Sequence, residues 1–271
     1  FGASLALLGV GITLVYGLGE VLNLAIGAFA VIAAISASLL TSEGVALPIA
    51  AVAGLGLVGV FGLVIDRTLL SLVYRSDGEE RILLGIFTTL GLAVLLEGVM
   101  VNLVSSRYSL PLDISPIDVG TTVVTGTSVV SIVVAAVVLA VLFAFLNRTF
   151  LGKATRTIFQ DERGAQLVGI DPRKIRTLVF VLSAVVAGLA GLLVAARSNV
   201  GVGNAFDFTT FALIVSIVGG VRSLVGAVIA GAVLGLVNTL ANFFIGSYVA
   251  TIILFGAAIV FLLVRPEVMP S

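Results

Sequence analysis

Between Asn147 and Arg176 the chain reads NRTFLGKATRTIFQDERGAQLVGIDPRKIR. This stretch holds seven of the fourteen Lys and Arg residues: Arg148, Lys153, Arg156, Arg163, Arg173, Lys174 and Arg176. A nucleotide site is the first chemistry to test. The phosphate-cradling loop GxxxxGK[ST] is absent, because Gly152-Lys153 is followed by Ala154 and residue 147 is Asn, not Gly. Any ATP used by this protein therefore binds to another subunit. With no Cys there is no thiolate nucleophile, disulfide or thiolate metal site. With no His, the commonest general base and metal ligand is missing. No catalytic residue, metal-ligand set or cofactor site is assigned. The zero net charge gives no reason to expect a nucleic-acid partner.

Two polar residues inside apolar sequence stand apart. Asn23 follows the break Gly17-Leu18-Gly19-Glu20, and Glu97 lies within a long apolar run. An acidic group near mid-membrane is costly and is usually paired or turned to water. Glu97 is therefore read either as a cavity-lining group that helps bind a polar solute or as a hydrogen-bond partner of a neighbouring helix. Glu20 and Asp66 fall at span ends, where solvation suffices. One buried acid and no His make a poor proton or ion relay, which counts against an ion-coupled secondary carrier. The filter-like glycine loops of a channel are also missing.

The elements that must position these residues follow from composition. Hydrophobic residues make up 60% of the 271, charged residues 10%, and the mean hydropathy is +1.29. Soluble domains carry about 25% charged residues, so this is an integral membrane protein. Strand-type alternation is absent, and the apolar runs approach the ~20 residues a membrane helix needs. The expected fold is all-α: one polytopic transmembrane bundle over residues 1–271, with about eight or nine membrane segments.

The runs are Gly2–Tyr16, Val21–Leu40, Ala46–Ile65, Ile82–Val104, Ser128–Leu146, Thr177–Ala196, Phe208–Val221, Leu224–Ile245 and Tyr248–Val264. A charged loop, Asp66–Arg81, and a polar loop with Pro111 and Pro116 separate three of them. The chain opens at Phe1 inside an apolar run, so residues are expected upstream and the first span is expected to be incomplete. Phe208–Val221 would rise only roughly 21 Å, short of the ~30 Å core. It is read as a helix buried in the bundle, with an ordinary tilted span as the alternative.

Placing the basic island in the cytoplasm and alternating sides puts Arg67, Arg75, Arg81, the seven island cations, Arg222 and Arg265 inside, and only Arg107 and Arg197 outside. Twelve against two is the asymmetry expected of a multi-pass protein with its N-terminus outside and its C-terminus in the cytoplasm. Tyr16, Tyr74, Tyr108 and Tyr248 fall near span ends, as interfacial anchors do. Small residues recur along Gly226–Gly235, at Gly54, Gly56, Gly59 and Gly62, and at Ala187-Gly188-Leu189-Ala190-Gly191. They are read mainly as helix-packing seams.

Within the island, Asn147 or Thr149 can open a helix. Ala154, Ile158, Ala165, Leu167 and Val168 give a helical pattern, Gly169 suits a C-terminal cap, and Pro172 prevents continuation. One or two short helices between about Lys153 and Val168 are expected along the membrane surface. Length, order and caps make this a docking element rather than a solvated loop.

These stretches resemble a known family. Gly11-Ile12-Thr13-Leu14-Val15-Tyr16-Gly17 and Val21-Leu22-Asn23-Leu24-Ala25-Ile26-Gly27-Ala28-Phe29 are similar to the N-terminal pattern of branched-chain amino acid ABC importer permeases, nearer the H-type than the M-type. Gly152-Lys153-Ala154, Arg156, Asp161, Ala165 and Gly169-Ile170 resemble its coupling loop. Gly219-Gly220, Ser223, Gly226-Ala227 and Gly231, closed by Arg265-Pro266-Glu267, resemble its C-terminal segment. The likeness covers nearly the whole chain. This chain departs at Ile26, where the family often has His, and at Arg222, where it usually has Gly.

The resemblance implies a permease subunit in a prokaryotic cytoplasmic (inner) membrane. It would form the pathway for branched-chain amino acids or related small solutes. Partners would be a second permease subunit (a copy or a paralogue), two ABC ATPases and an external solute-binding protein. Arg156, Asp161, Ala165, Gly169 and Ile170 would couple to the ATPase, Ala165 and Gly169 by offering a small surface and Arg156 and Asp161 by fixing register. Asn23, Gly27 and Glu97 would belong to the translocation region. Permeases for urea and short amides, or for sugars and nucleosides, are the neighbouring alternatives.

Overall fold

The computed structural model describes residues 1–264 except 20, 77, 105, 106, 111, 113, 116, 120 and 121. Glu20, Pro111, Pro116 and the Arg265-Pro266-Glu267 motif lie outside the described residues. The chain forms α1 (Gly2–Gly19), α2 (Ile26–Ser42), α3 (Leu47–Ile65), a π-helical turn (Asp66–Leu70), α4 (Ser71–Val73) and α5 (Gly78–Leu103). A small hairpin, β1 (Ile117–Val119) and β2 (Thr122–Val124), pairs antiparallel with Asp118 opposite Val123. Then come α6 (Gly126–Arg148), α7 (Phe150–Gln160), α8 (Glu162–Leu167), α9 (Pro172–Ala195), α10 (Asn204–Gly219), α11 (Leu224–Ile245) and α12 (Ser247–Val264). Five of the described helical segments are long and apolar enough to cross a membrane, and four shorter apolar helices accompany them.

The helices α1, α2, α9 and α10 form the centre, and α3, α5, α6, α11 and α12 surround it with one apolar face turned outward. Lipid supplies no hydrophobic drive between helices, so close packing of small residues must hold this centre. The clearest case is Gly191, where a Cβ would come 2.0 Å from the Ala30 carbonyl oxygen, so α2 and α9 touch backbone to backbone. The Gly231/Gly235 step of α11 does the same against Ala6 and Gly2 of α1. The glycines of α3 divide: Gly54 and Gly62 pack against α2 and α9, but nothing lies within 4 Å of a Cβ at Gly56.

Several boundaries differ from the sequence expectation. The second helix starts at Ile26, not Val21, leaving residues 21–25 outside any helix. The third continues past Ile65 to Val73 through the π turn, because the Thr177 hydroxyl donates to the Asp66 carboxylate and relieves its charge without leaving the helix. The fifth element begins at Gly78, where Glu79 and Glu80 suit a helix N-terminus. The short tenth helix runs Asn204–Gly219 rather than Phe208–Val221; it packs among α1, α2 and α11, and its 16 residues rise about 24 Å. A four-residue reversal at positive-φ Gly220 brings Gly219 onto Gly226 of α11.

Candidate functional site

The first constellation is the gap between α1 and α2. Irregular backbone at membrane depth survives only where protein or water satisfies it. Two threonines from separate helices do this. Thr89 of α5 accepts from the Leu24 N–H (3.1 Å), and its hydroxyl lies 2.8 Å from the Leu22 carbonyl oxygen. Thr209 of α10 accepts from the Gly27 N–H (3.1 Å) and lies 3.1 Å from the Leu24 carbonyl oxygen. Asn23 closes the turn by accepting from the Ala25 N–H at 3.1 Å. Asn23 is 0% exposed, and its Nδ2 has no partner among the described residues. Gly27 lies directly under α10, where a Cβ would come 1.9 Å from the Ala205 carbonyl oxygen.

Glu97 does not join this group. It is half-buried on α5, eight residues beyond Thr89. That places it about 12 Å along the helix and about 80° around it.

The second constellation is the island. Thr149 caps α7 by accepting from the Gly152 N–H (3.0 Å), and Gly152 lets α7 turn back onto Leu146 of α6. Arg156 donates to the Asn147 side-chain oxygen. Asp161 is exposed at the junction of α7 and α8. Gly169 takes φ +82°, the left-handed cap expected of it, and the Ile170 N–H donates to the Ala165 carbonyl at 3.0 Å. Asp171 then caps α9 by accepting from the Arg173 N–H.

One expectation fails here. Ala165 is 0% exposed, so it presents no surface to a partner. Ala154 and Ile158 are buried with it, while Leu167 and Val168 stand 89% and 72% exposed. The pattern of five apolar residues joined two populations: three seat the island on the bundle, and two face away.

Sequence reasoning missed an ionic knot. Glu162 of α8 accepts from Arg176 of α9 at 2.6 Å and lies 3.6 Å from the Arg81 guanidinium at the start of α5. Arg176, only 4% exposed, also sits 4.7 Å over the Tyr74 ring. Burial pushes the Tyr74 phenol well above its usual range, so a neutral ring faces this cation. The knot ties the island to α5 and α9. Glu162 and Arg176 were legible only as members of a charge-rich run. Thr89 and Thr209 gave no signal, because a threonine in an apolar helix ordinarily bonds its own turn. Both also do that here, to Gly85 and Ala205.

The cations gather at one end of the molecule. Arg67 and Arg75 share a cavity with Arg173 and Arg176, Arg81 meets Glu162, and Arg222 lines a pocket with Arg156. Arg107 packs near Gly201 beside the Tyr108–Val200 bridge, past the far end of α9 from this cluster.

A buried helical core, a buried irregular segment between α1 and α2 and a folded basic knob at one end define a polytopic helical membrane protein. The chain belongs to the family described as branched-chain amino acid transport system / permease component, whose model matches residues 1–263. It is similar to the high-affinity branched-chain amino acid transport system permease protein BraD of Pseudomonas aeruginosa, 27% identical over 98% of this chain and 91% of the relative. It is similar also to LivH, the corresponding permease protein of Escherichia coli K12, at 26% over 98% and 90%. The probable permease LivH of Methanocaldococcus jannaschii is 28% identical over 91% and 80%. A solved structure of PsaBC from Streptococcus pneumoniae in complex with Fab aligns with 97% of this chain and 89% of its own, at 15% identity and TM-score 0.49.

Proposed function

We propose that this permease component forms the pathway of an ATP-driven importer for branched-chain amino acids or closely related small solutes. In this reading it sits in a prokaryotic cytoplasmic membrane with the island and C-terminus inside. Separate ATPases push on the island, a second permease subunit completes the pathway, and an external binding protein delivers cargo. The relatives BraD and LivH are named as branched-chain amino acid permeases, which supports the solute class.

The observation that carries the mechanism is the Glu162 knot. Exposed Leu167 and Val168 offer an apolar contact on α8, flanked by Asp161, Gly169 and Ile170. Displacement of α8 would pass through Glu162 to Arg176 and Arg81, hence to α9 and α5. Arg156 would hold α7 to the end of α6, and Ala165 would act from beneath by seating α8. At the other end of α5's first turns, Thr89 grips the broken segment, so movement of α5 reaches Asn23 and Gly27. These two residues would border the solute path near the break. Glu97 would meet solute at another depth, if the path follows α5.

Replacing Leu167 with Asp tests the reading. Membrane insertion and amounts of protein should be unchanged, while copurification of the ATPases and uptake of labelled leucine or isoleucine fall together. Normal uptake by L167D would remove α8 as the docking element. Uptake of neither amino acid by the wild-type complex would remove the solute class.

A further inference from the structure

A groove of about 1060 Å³ runs between α3 and α9 and shares Tyr74 and Arg176 with the knot. Its two ends differ in chemistry. The deep end is walled by Gly56, Val60 and Val181. The shallow end carries Arg67, Arg75, Arg173 and Arg176, with Lys174 beside them. Asp66 is the acid in this lining, and the Thr177 hydroxyl already occupies one of its oxygens. Lys174 has Asp171 at 3.7 Å, and Arg176 has Glu162. Arg75 and Arg173 have no ion-pair partner among the described residues. Arg176 is almost fully buried, and its Nε also lacks a hydrogen-bond partner among them.

The dimensions narrow the occupant. From Arg67 to Gly56 is eleven residues of helix, about 16 Å, or half of a ~30 Å hydrocarbon core. The groove is therefore one leaflet deep, with cations where headgroups lie and glycine where an acyl chain would run. Lining residues come from α3, the π turn, α4, α9 and the turn at Tyr74–Arg75, and none comes from α1, α2 or α10. It lies apart from the α1–α2 break. A soluble anion would use only the shallow end, and a neutral zwitterion would leave the excess positive charge unmet. At Gly56, unlike at Gly54 and Gly62, no atom of the described residues lies within 4 Å of an added Cβ, so the space a side chain would fill stays open.

We propose that this groove binds an anionic phospholipid, its phosphate held by Arg67, Arg75 and Arg173 and one acyl chain lying over Gly56 and Val60. Basic pockets between membrane helices recognise such headgroups by charge. The bound lipid would bridge α3 to α9, the helix that carries Arg176, and so would stiffen the ground against which the island moves.

The test is native mass spectrometry of the purified chain, with any subunits that accompany it, incubated with equal amounts of phosphatidylglycerol and phosphatidylcholine of one acyl length. Wild type should retain phosphatidylglycerol about tenfold better. Arg67→Gln with Arg75→Gln should abolish that preference. Gly56→Leu, which meets no atom within 4 Å of its new Cβ, should lose retention of both lipids while keeping every charge. Arg197→Gln, at the far end of α9, should behave as wild type. Equal retention of the two lipids by wild type would overturn the proposal. So would displacement of phosphatidylglycerol by excess inorganic phosphate, which would mark a soluble-anion site. Cross-linking of Gly56→Cys chains to one another, with no lipid retained, would make the groove a protein interface and would equally overturn it.

Discussion

The α1–α2 break and the island knot solve the same problem with opposite chemistry. Each must hold a chain segment that ordinary helix bonding leaves unsatisfied. At the break the work is done by two neutral hydroxyls, Thr89 and Thr209, and one amide, Asn23. At the island it is done by ions: Glu162 with Arg176 and Arg81, and Arg176 over Tyr74. Depth explains the choice. A charge at mid-membrane costs several kcal/mol even by the lenient scales, while a hydroxyl can satisfy two backbone groups without any net charge. At the bundle end Glu162 keeps partial access to water, and charges add reach and direction that hydroxyls lack.

Breaking the ionic side should have the largest effect. Glu162→Gln leaves the almost fully buried Arg176 without its anion, and should cost about 3 kcal/mol in reversible unfolding in mixed micelles. A loss below about 1 kcal/mol would mean the knot is merely a surface pair. The double change Thr89→Val and Thr209→Val tests the neutral side. It leaves the Leu22 and Leu24 carbonyls and the Leu24 and Gly27 N–H groups short of partners, and should cost about 2 kcal/mol. Unchanged stability would show that water, not the threonines, satisfies the break. Arg176→Gln sharpens the contrast. It leaves Glu162 partly exposed and still 3.6 Å from Arg81, so the expected loss is about 1 kcal/mol, shrinking in high salt. A salt-independent loss would assign the effect to geometry instead. Leu167→Asp should be smallest on this scale, within about 0.5 kcal/mol, because its side chain is already exposed.

Much of this was legible in the sequence because hydrophobic run length is a local property. Leu224–Ile245 matches to the residue, Gly169 announces its cap, and of the two helix openers the sequence offers, Asn147 and Thr149, the structure uses Thr149. Misreadings fell where a distant partner changed the local answer. Asp66 looked like a helix end and is instead carried inside a π turn because Thr177, far along the chain, bonds it. Of the tyrosines at predicted span ends, Tyr248 is exposed, while Tyr16 is buried in the core.

Apolar run lengths and the one-sided distribution of cations were enough to determine a helical membrane protein with an organised basic knob. Those properties follow from transfer free energies, which depend on each residue and its near neighbours. Only the tertiary structure decided that Ala165 faces inward while Leu167 faces out, that Thr89 and Thr209 hold the broken helix, and that Gly56 opens a groove where Gly54 closes a seam. The reason is physical. In lipid, which face of a helix is buried depends on which small residues another helix brings opposite it, and that pairing joins positions far apart in the chain.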